Sequence, residues 1–134
     1  MSLFLLDTSA LLAHFRNEAG AARVQAILED EGAELLIAAV SVTELARRVA
    51  ELGAGTMEAR AVALEYAALA DRVISVDAAL SIRAFELGAA SAKRIPFVDA
   101  LIASAACLHD AILVHRDLHF GSIPMELLRQ EFLE

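Results

Sequence analysis

Four carboxylates occupy similar places relative to the apolar runs of this chain. Asp7 closes the run "LFLL" (3–6), Glu44 lies four residues past "ELLIAAV" (34–40), and Asp117 lies two past "AILVH" (111–115). Asp99 stands in "IPFVDALIASAA", early in the stretch that leads into that last run. A charged carboxylate at the end of a buried strand is costly unless a cation neutralises it or water reaches it. Four of them brought together repel one another and do not all ionise comfortably without a cation. Hard divalent ions, Mg²⁺ or Mn²⁺, meet that need, because they take oxygen ligands and keep several waters. One or two such ions per site would activate water and shield a phosphate's oxygens during in-line attack. The chemistry indicated is phosphodiester hydrolysis.

Each acid also has a purely local explanation. Asp7 caps a helix that begins at Thr8 or Ser9. "SVTE" (41–44) has the form of a capping box, with Ser41 as the cap and Glu44 reaching back. Asp99 in a first helical turn complements the helix dipole, and Asp117 opens a turn in "HRDLHF". The case for a site therefore rests on all four falling at one edge of one sheet. That depends on the elements that carry them.

Residues 2–6 read as a short buried strand, followed by a helix from Ser9 to about Arg16 and another from about Glu18 to Glu31, broken by Gly32. Residues 34–40 are a second strand, and "SVTELARRVAEL" a helix ending at Gly53. A helix over about Thr56–Ala70 leads to a third strand at 72–76, after which Asp77 caps a helix to about Ala90. Pro96 lies near the first turn of the next helix, where proline is tolerated. Residues 111–115 are a fourth strand, and "IPMELL" (123–128) is placed as a fifth short strand, with a helix or a tail beyond it. Strands alternating with helices predict an α/β fold with a mostly parallel sheet of four to five strands and helices on both faces. At 134 residues the expectation is one domain, 1–134. In such sheets ligands sit beyond the carboxyl ends of the strands, and all four acids fall there.

The chain is 58% hydrophobic, which excludes disorder and leaves apolar surface that a homodimer would cover. A single cysteine, Cys107, excludes a disulfide framework and is read as buried packing. No signal peptide and no membrane-length apolar run are present, so a cytoplasmic protein with no membrane association is expected. A net charge of −8 argues, taken in bulk, against a nucleic-acid partner. Placement reverses that reading. Arg47 and Arg48 sit one turn past Glu44, Lys93 and Arg94 precede Asp99, and Arg116 adjoins Asp117. A basic rim around an acidic, metal-filled pocket suits a polyanion whose phosphates dominate binding.

"LLDTSALLA", "SVTELARR", "IPFVDALIASAA" and "LVHRDLHF", in this order and spacing, resemble the PIN-domain family, and within it the VapC-type toxins of toxin–antitoxin pairs. The resemblance spans nearly the whole chain. It implies a three-layer α/β/α sandwich and a Mg²⁺- or Mn²⁺-dependent endoribonuclease acting on an RNA substrate. It also implies a homodimer restrained by a cognate antitoxin. The family's acidic positions match Asp7, Glu44, Asp99 and Asp117, with Thr8 and Ser9 as the polar pair after the first acid. One departure stands out: His115 occupies a position that is often Thr or Ser in the family. It is expected either to support the metal through a ring nitrogen or to orient Asp117. His119 reads as a turn or surface residue, and His14 and His109 as helix-surface residues.

Two other classes compete. A catalytically silent PIN-like module would bind protein or RNA without cutting it. A phosphotransferase using Asp7 as nucleophile would want a second Asp where Ser9 stands. A P-loop enzyme is excluded, since no glycine-rich G-K-[ST] loop is present.

Overall fold

A computed structural model describes residues 2–134. The elements run β1 (Ser2–Leu6), α1 (Thr8–Phe15), α2 (Ala21–Glu29), β2 (Ala33–Ala38), α3 (Ala39–Glu51), α4 (Thr56–Leu69) and β3 (Arg72–Ile74). They continue through α5 (Ala78–Ala90), α6 (Phe97–Leu108), β4 (Ile112–His115), a 3-10 turn at Leu118–Ser122 and β5 (Gln130–Phe132). The five strands form one sheet, in the order β3-β2-β1-β4-β5, and every pairing is parallel. The chain first adds strands on one side of β1 and then on the other. The crevice between β1 and β4 is therefore the topological switch point, where α/β sheets place their ligands.

Burial on both faces explains the unbroken apolar run of β1. Phe4 and Leu6 pack with Leu11, Val24, Leu45 and Ala59 under α1–α4, while Leu5 packs with Leu80 and Ile102 under α5 and α6. The result is a three-layer α/β/α sandwich, the architecture that the resemblance implies. Among the described residues, no helix is long and apolar enough to cross a membrane.

Several boundaries differ from expectation for local reasons. The helix expected from Glu18 begins at Ala21, because Gly20 adopts a left-handed φ of 95° as its N-cap. The third strand ends at Ile74 rather than at residue 76. The fifth strand is not "IPMELL": Pro124 accepts from Leu127 N–H at 2.9 Å in a turn, and β5 forms further on, at Gln130–Phe132. Its pairing lies along β4, where Leu113, Val114 and His115 face Gln130, Glu131 and Phe132. Cys107 is half-buried rather than buried and receives the Arg83 guanidinium at 3.3 Å. His14, expected on a helix surface, is half-buried and joins Tyr66 and Gln25, each at 2.6 Å. His109 ends α6 as its C-cap and is half-buried.

Candidate active site

Asp7 leaves β1 directly into the crevice and caps α1. Its Oδ2 accepts from Ser9 N–H at 3.0 Å and from the Ser9 hydroxyl. The local role of a cap is thus real, but it uses only one oxygen. Oδ1 is buried without a hydrogen-bond partner, and the residue as a whole is only 3% exposed. Burial pushes the Asp7 pKa from 3.8 up to about 7; the Ser9 hydrogen bonds oppose this, and the charges of Asp99 and Glu44 add to it. An orphaned carboxylate oxygen in such a place is unfavourable, and a cation is the natural complement.

Glu44 does not belong to a capping box. β2 passes straight into α3, whose N-cap is Ala38, with no side-chain capping bond. Ser41 therefore lies inside the helix, its hydroxyl buried and unpartnered. Glu44 falls in the second turn, and Thr8 Oγ1 donates to its Oε1 at 2.6 Å.

Asp99 lies in the first turn of α6 and is buried. Burial raises its pKa to about 6, the Asp117 charge adds to the rise, and a hydrogen bond with His119 opposes it. Asp117 caps the 3-10 turn, its Oδ1 accepting from His119 N–H at 2.9 Å. The His119 imidazole also comes to these acids. Its Nδ1 stands 3.1 Å from Asp99 Oδ2 and 3.1 Å from Asp117 Oδ1. Asp99, Asp117 and His119 each offer one ligand atom, all within 4.8 Å of one another. Sequence reasoning placed His119 on the surface, and it is exposed. The missed signal is its spacing: a turn opened by Asp117 folds the residue two positions on back over the acid.

His115 is buried between Phe120 and Phe132, with ring centroids 4.7 and 5.7 Å away. Burial lowers its pKa, favouring the neutral ring. Nδ1 accepts from Asp117 N–H at 3.2 Å, a role that assigns the proton to Nε2, which donates to Gln130 Oε1 at 2.8 Å. Of the two roles expected for His115, its bonds carry the orienting one. Ser9 supports the same loop from the other side, its hydroxyl accepting from Arg116 N–H at 2.9 Å.

Asp7, Glu44, Asp99 and Asp117 thus line one cleft of about 580 Å³, together with Thr8 and Ser9. Arg47, Arg48 and Arg116 line it as well, joined by Arg16, which the sequence did not single out. Lys93 and Arg94 are exposed residues of the loop before α6 and do not line the cleft. Two carboxylates temper the basic rim: Glu18 lies 3.6 Å from Arg16 and 3.5 Å from Arg116, and Glu51 lies 3.2 Å from Arg48.

Residues 4–124 match the PIN domain. The chain belongs to the PIN domain family. No curated protein is matched by the sequence at a significant level. Among solved structures, this PIN domain chain is similar to VapBC from Salmonella typhimurium bound to DNA, with a TM-score of 0.77 at 22% identity, covering 98% of each chain. It is similar too to VapBC2 from Rickettsia felis bound to a promoter DNA fragment, with a TM-score of 0.76 at 19% identity, covering 98% of this chain and 99% of the other. VapBC-5 from Mycobacterium tuberculosis, described as a member of a family of toxin–antitoxin systems, gives a TM-score of 0.64 at 23% identity, covering 100% and 99%. At these identities the likeness establishes the fold.

Proposed function

We propose that this PIN domain chain is a Mg²⁺- or Mn²⁺-dependent endoribonuclease and the toxin of a toxin–antitoxin pair. The observation that carries this reading is the orphaned, buried Oδ1 of Asp7 in a cleft shared with Glu44, Asp99 and Asp117. The donor set, rich in carboxylate oxygen, fits a hard divalent ion. Asp7 and Asp99 would hold it, with Glu44 and Asp117 completing or orienting the site. When bound, such an ion supplies Lewis acidity for water attack on a phosphodiester.

The chain's own residues do the positioning. Ser9 fixes one oxygen of Asp7 and leaves the other without a hydrogen-bond partner, Thr8 fixes Glu44, and His115 fixes the backbone of Asp117. Arg16, Arg47, Arg48 and Arg116 along the cleft would hold the phosphates on either side of the scissile bond. The similarity to toxin–antitoxin structures supports a cognate antitoxin as partner. Ile82 and Phe85, exposed and one turn apart on α5, support a homodimer.

The test is cleavage of a structured RNA panel with Mg²⁺ or Mn²⁺ against EDTA, with Asp99→Asn as control and circular dichroism to show that it folds. Cleavage that needs the ion and is lost in Asp99→Asn is expected. Cleavage indifferent to EDTA overturns metal dependence. RNA binding without cleavage under any ion replaces this reading with the silent module.

A further inference from the structure

His119 is not one of the four acids, yet its imidazole stands between two of them. Nδ1 lies at the same 3.1 Å from Asp99 Oδ2 and from Asp117 Oδ1. One N–H directs itself well at one acceptor only, so a hydrogen bond accounts for one of these contacts and leaves the other. Both distances suit a different arrangement. Adjacent ligands of an octahedral ion with bonds of about 2.1 Å stand about 3.0 Å apart. The turn that holds the ring is built in, since Asp117 Oδ1 also accepts from His119 N–H at 2.9 Å. A second observation points to an ion beside these two acids: Asp7 lines the same cleft as Asp99 and Asp117, is only 3% exposed, and has an Oδ1 without a hydrogen-bond partner.

We propose that His119 Nδ1 is itself a metal ligand, and that with Asp99 and Asp117 it makes a mixed nitrogen–oxygen site preferring Mn²⁺ and similar transition ions to Mg²⁺. The proposal rests on the metal-dependent reading above. Its chemistry is general. Mg²⁺ takes oxygen and parts reluctantly with water, whereas imidazole suits first-row transition ions. A ring of carboxylates separates the two ions weakly, and one nitrogen donor widens the gap. His119 is exposed, so replacing it should leave the fold intact.

The experiment is titration of the metal-free protein with MnCl₂ and, separately, MgCl₂ by calorimetry at a pH of about 8, where a free imidazole is unprotonated. Pulsed electron paramagnetic resonance of the Mn²⁺ complex accompanies it. Native protein and His119→Ala are compared. Expected are tighter binding of Mn²⁺ than of Mg²⁺ by native protein, and a fall in that advantage on the order of tenfold in His119→Ala. A nitrogen hyperfine coupling on Mn²⁺ should be present in native protein and absent from the variant. Mn²⁺ bound without nitrogen coupling, coupling that survives in His119→Ala, or an unchanged ratio of the two affinities overturns the proposal and leaves the nuclease reading standing. Failure of native protein to bind either ion overturns the metal-dependent reading, and this proposal with it.

Discussion

Thr8 Oγ1 donates to Glu44 Oε1 at 2.6 Å, joining the first residue of α1 to the second turn of α3 across 36 positions of sequence. Thr8 is buried, so water does not readily replace this bond. Valine has nearly the same shape without the donor. Thr8→Val should lower stability by about 1 kcal/mol. It should also weaken divalent-ion binding by on the order of tenfold, as loss of a group orienting a ligand does. Thr8→Ser should keep most of both. Calorimetric titration of the three proteins decides; equal ion affinity in Thr8→Val would show that Glu44 needs no such tether.

Stability should depend on pH in a direction set by the two buried acids. Asp7 and Asp99 have folded-state pKa values raised to about 7 and about 6 by burial. Between the ordinary carboxylate value and these, the native state holds more protons than the unfolded chain. Their contribution is therefore fully present below about pH 4 and is lost as pH rises through about 7. His119, raised by its bond to Asp99, acts in the same sense. Metal-free protein should melt at progressively lower temperature from about pH 5 to about pH 7.5. Asp7→Asn should flatten that decline, and saturating divalent ion should reverse it by binding the ionised form. Calorimetric scans across this range in EDTA test the point; a decline of the same size in Asp7→Asn would acquit Asp7.

Gly20 offers a stability test remote from the acids. Its φ is 95°, and a Cβ added there would lie 2.8 Å from Leu133 Cβ. Gly53 has a φ of 110° with nothing within 4 Å. Gly53→Ala should cost about 1 kcal/mol, from backbone conformation alone. Gly20→Ala should cost about 1–3 kcal/mol beyond that, from overpacking against a buried side chain. Urea unfolding of both variants isolates the steric part, and equal losses would mean that Leu133 moves aside freely.

Arginines on the rim should contribute unequally to RNA binding. Arg48 and Arg116 pair with Glu51 and Glu18, whereas Arg47 pairs with no carboxylate among the described residues. In the Asp99→Asn background, Arg47→Ala should reduce the salt dependence of single-stranded RNA binding by about 0.7 in slope. Lys93→Ala, off the cleft, should leave it unchanged. Anisotropy titrations over a range of salt measure both; equal slopes for native and Arg47→Ala would place the phosphate path elsewhere.

What the sequence made legible follows from what each pattern answers to. The run Leu3–Leu6 is apolar throughout because its alternate residues serve two separate layers, so both the strand and its burial were readable. The acids were readable because parallel strands all end at one edge. Ser41 misled, because small Ala38 and Ala39 let strand pass into helix without a loop, leaving the capping pattern inside the helix. β5 carries no run of its own: three residues at a sheet edge are held by partners on β4 and by Gln130 meeting His115. His119 escaped because its place depends on a turn closing over Asp117, which composition and periodicity do not record.

β5 gives the order of synthesis a meaning. Gln130 holds the ring that holds Asp117, and Leu133 N–H donates to His115 O at 2.7 Å. Both residues leave the ribosome after all four acids have emerged. A nascent chain cut short between residues 117 and 130 would carry every carboxylate of the cleft and still lack the brace beneath the last one. Translation itself thus delays the moment at which the cleft is complete, and shortening the chain at its far end would blunt the site without touching an acid.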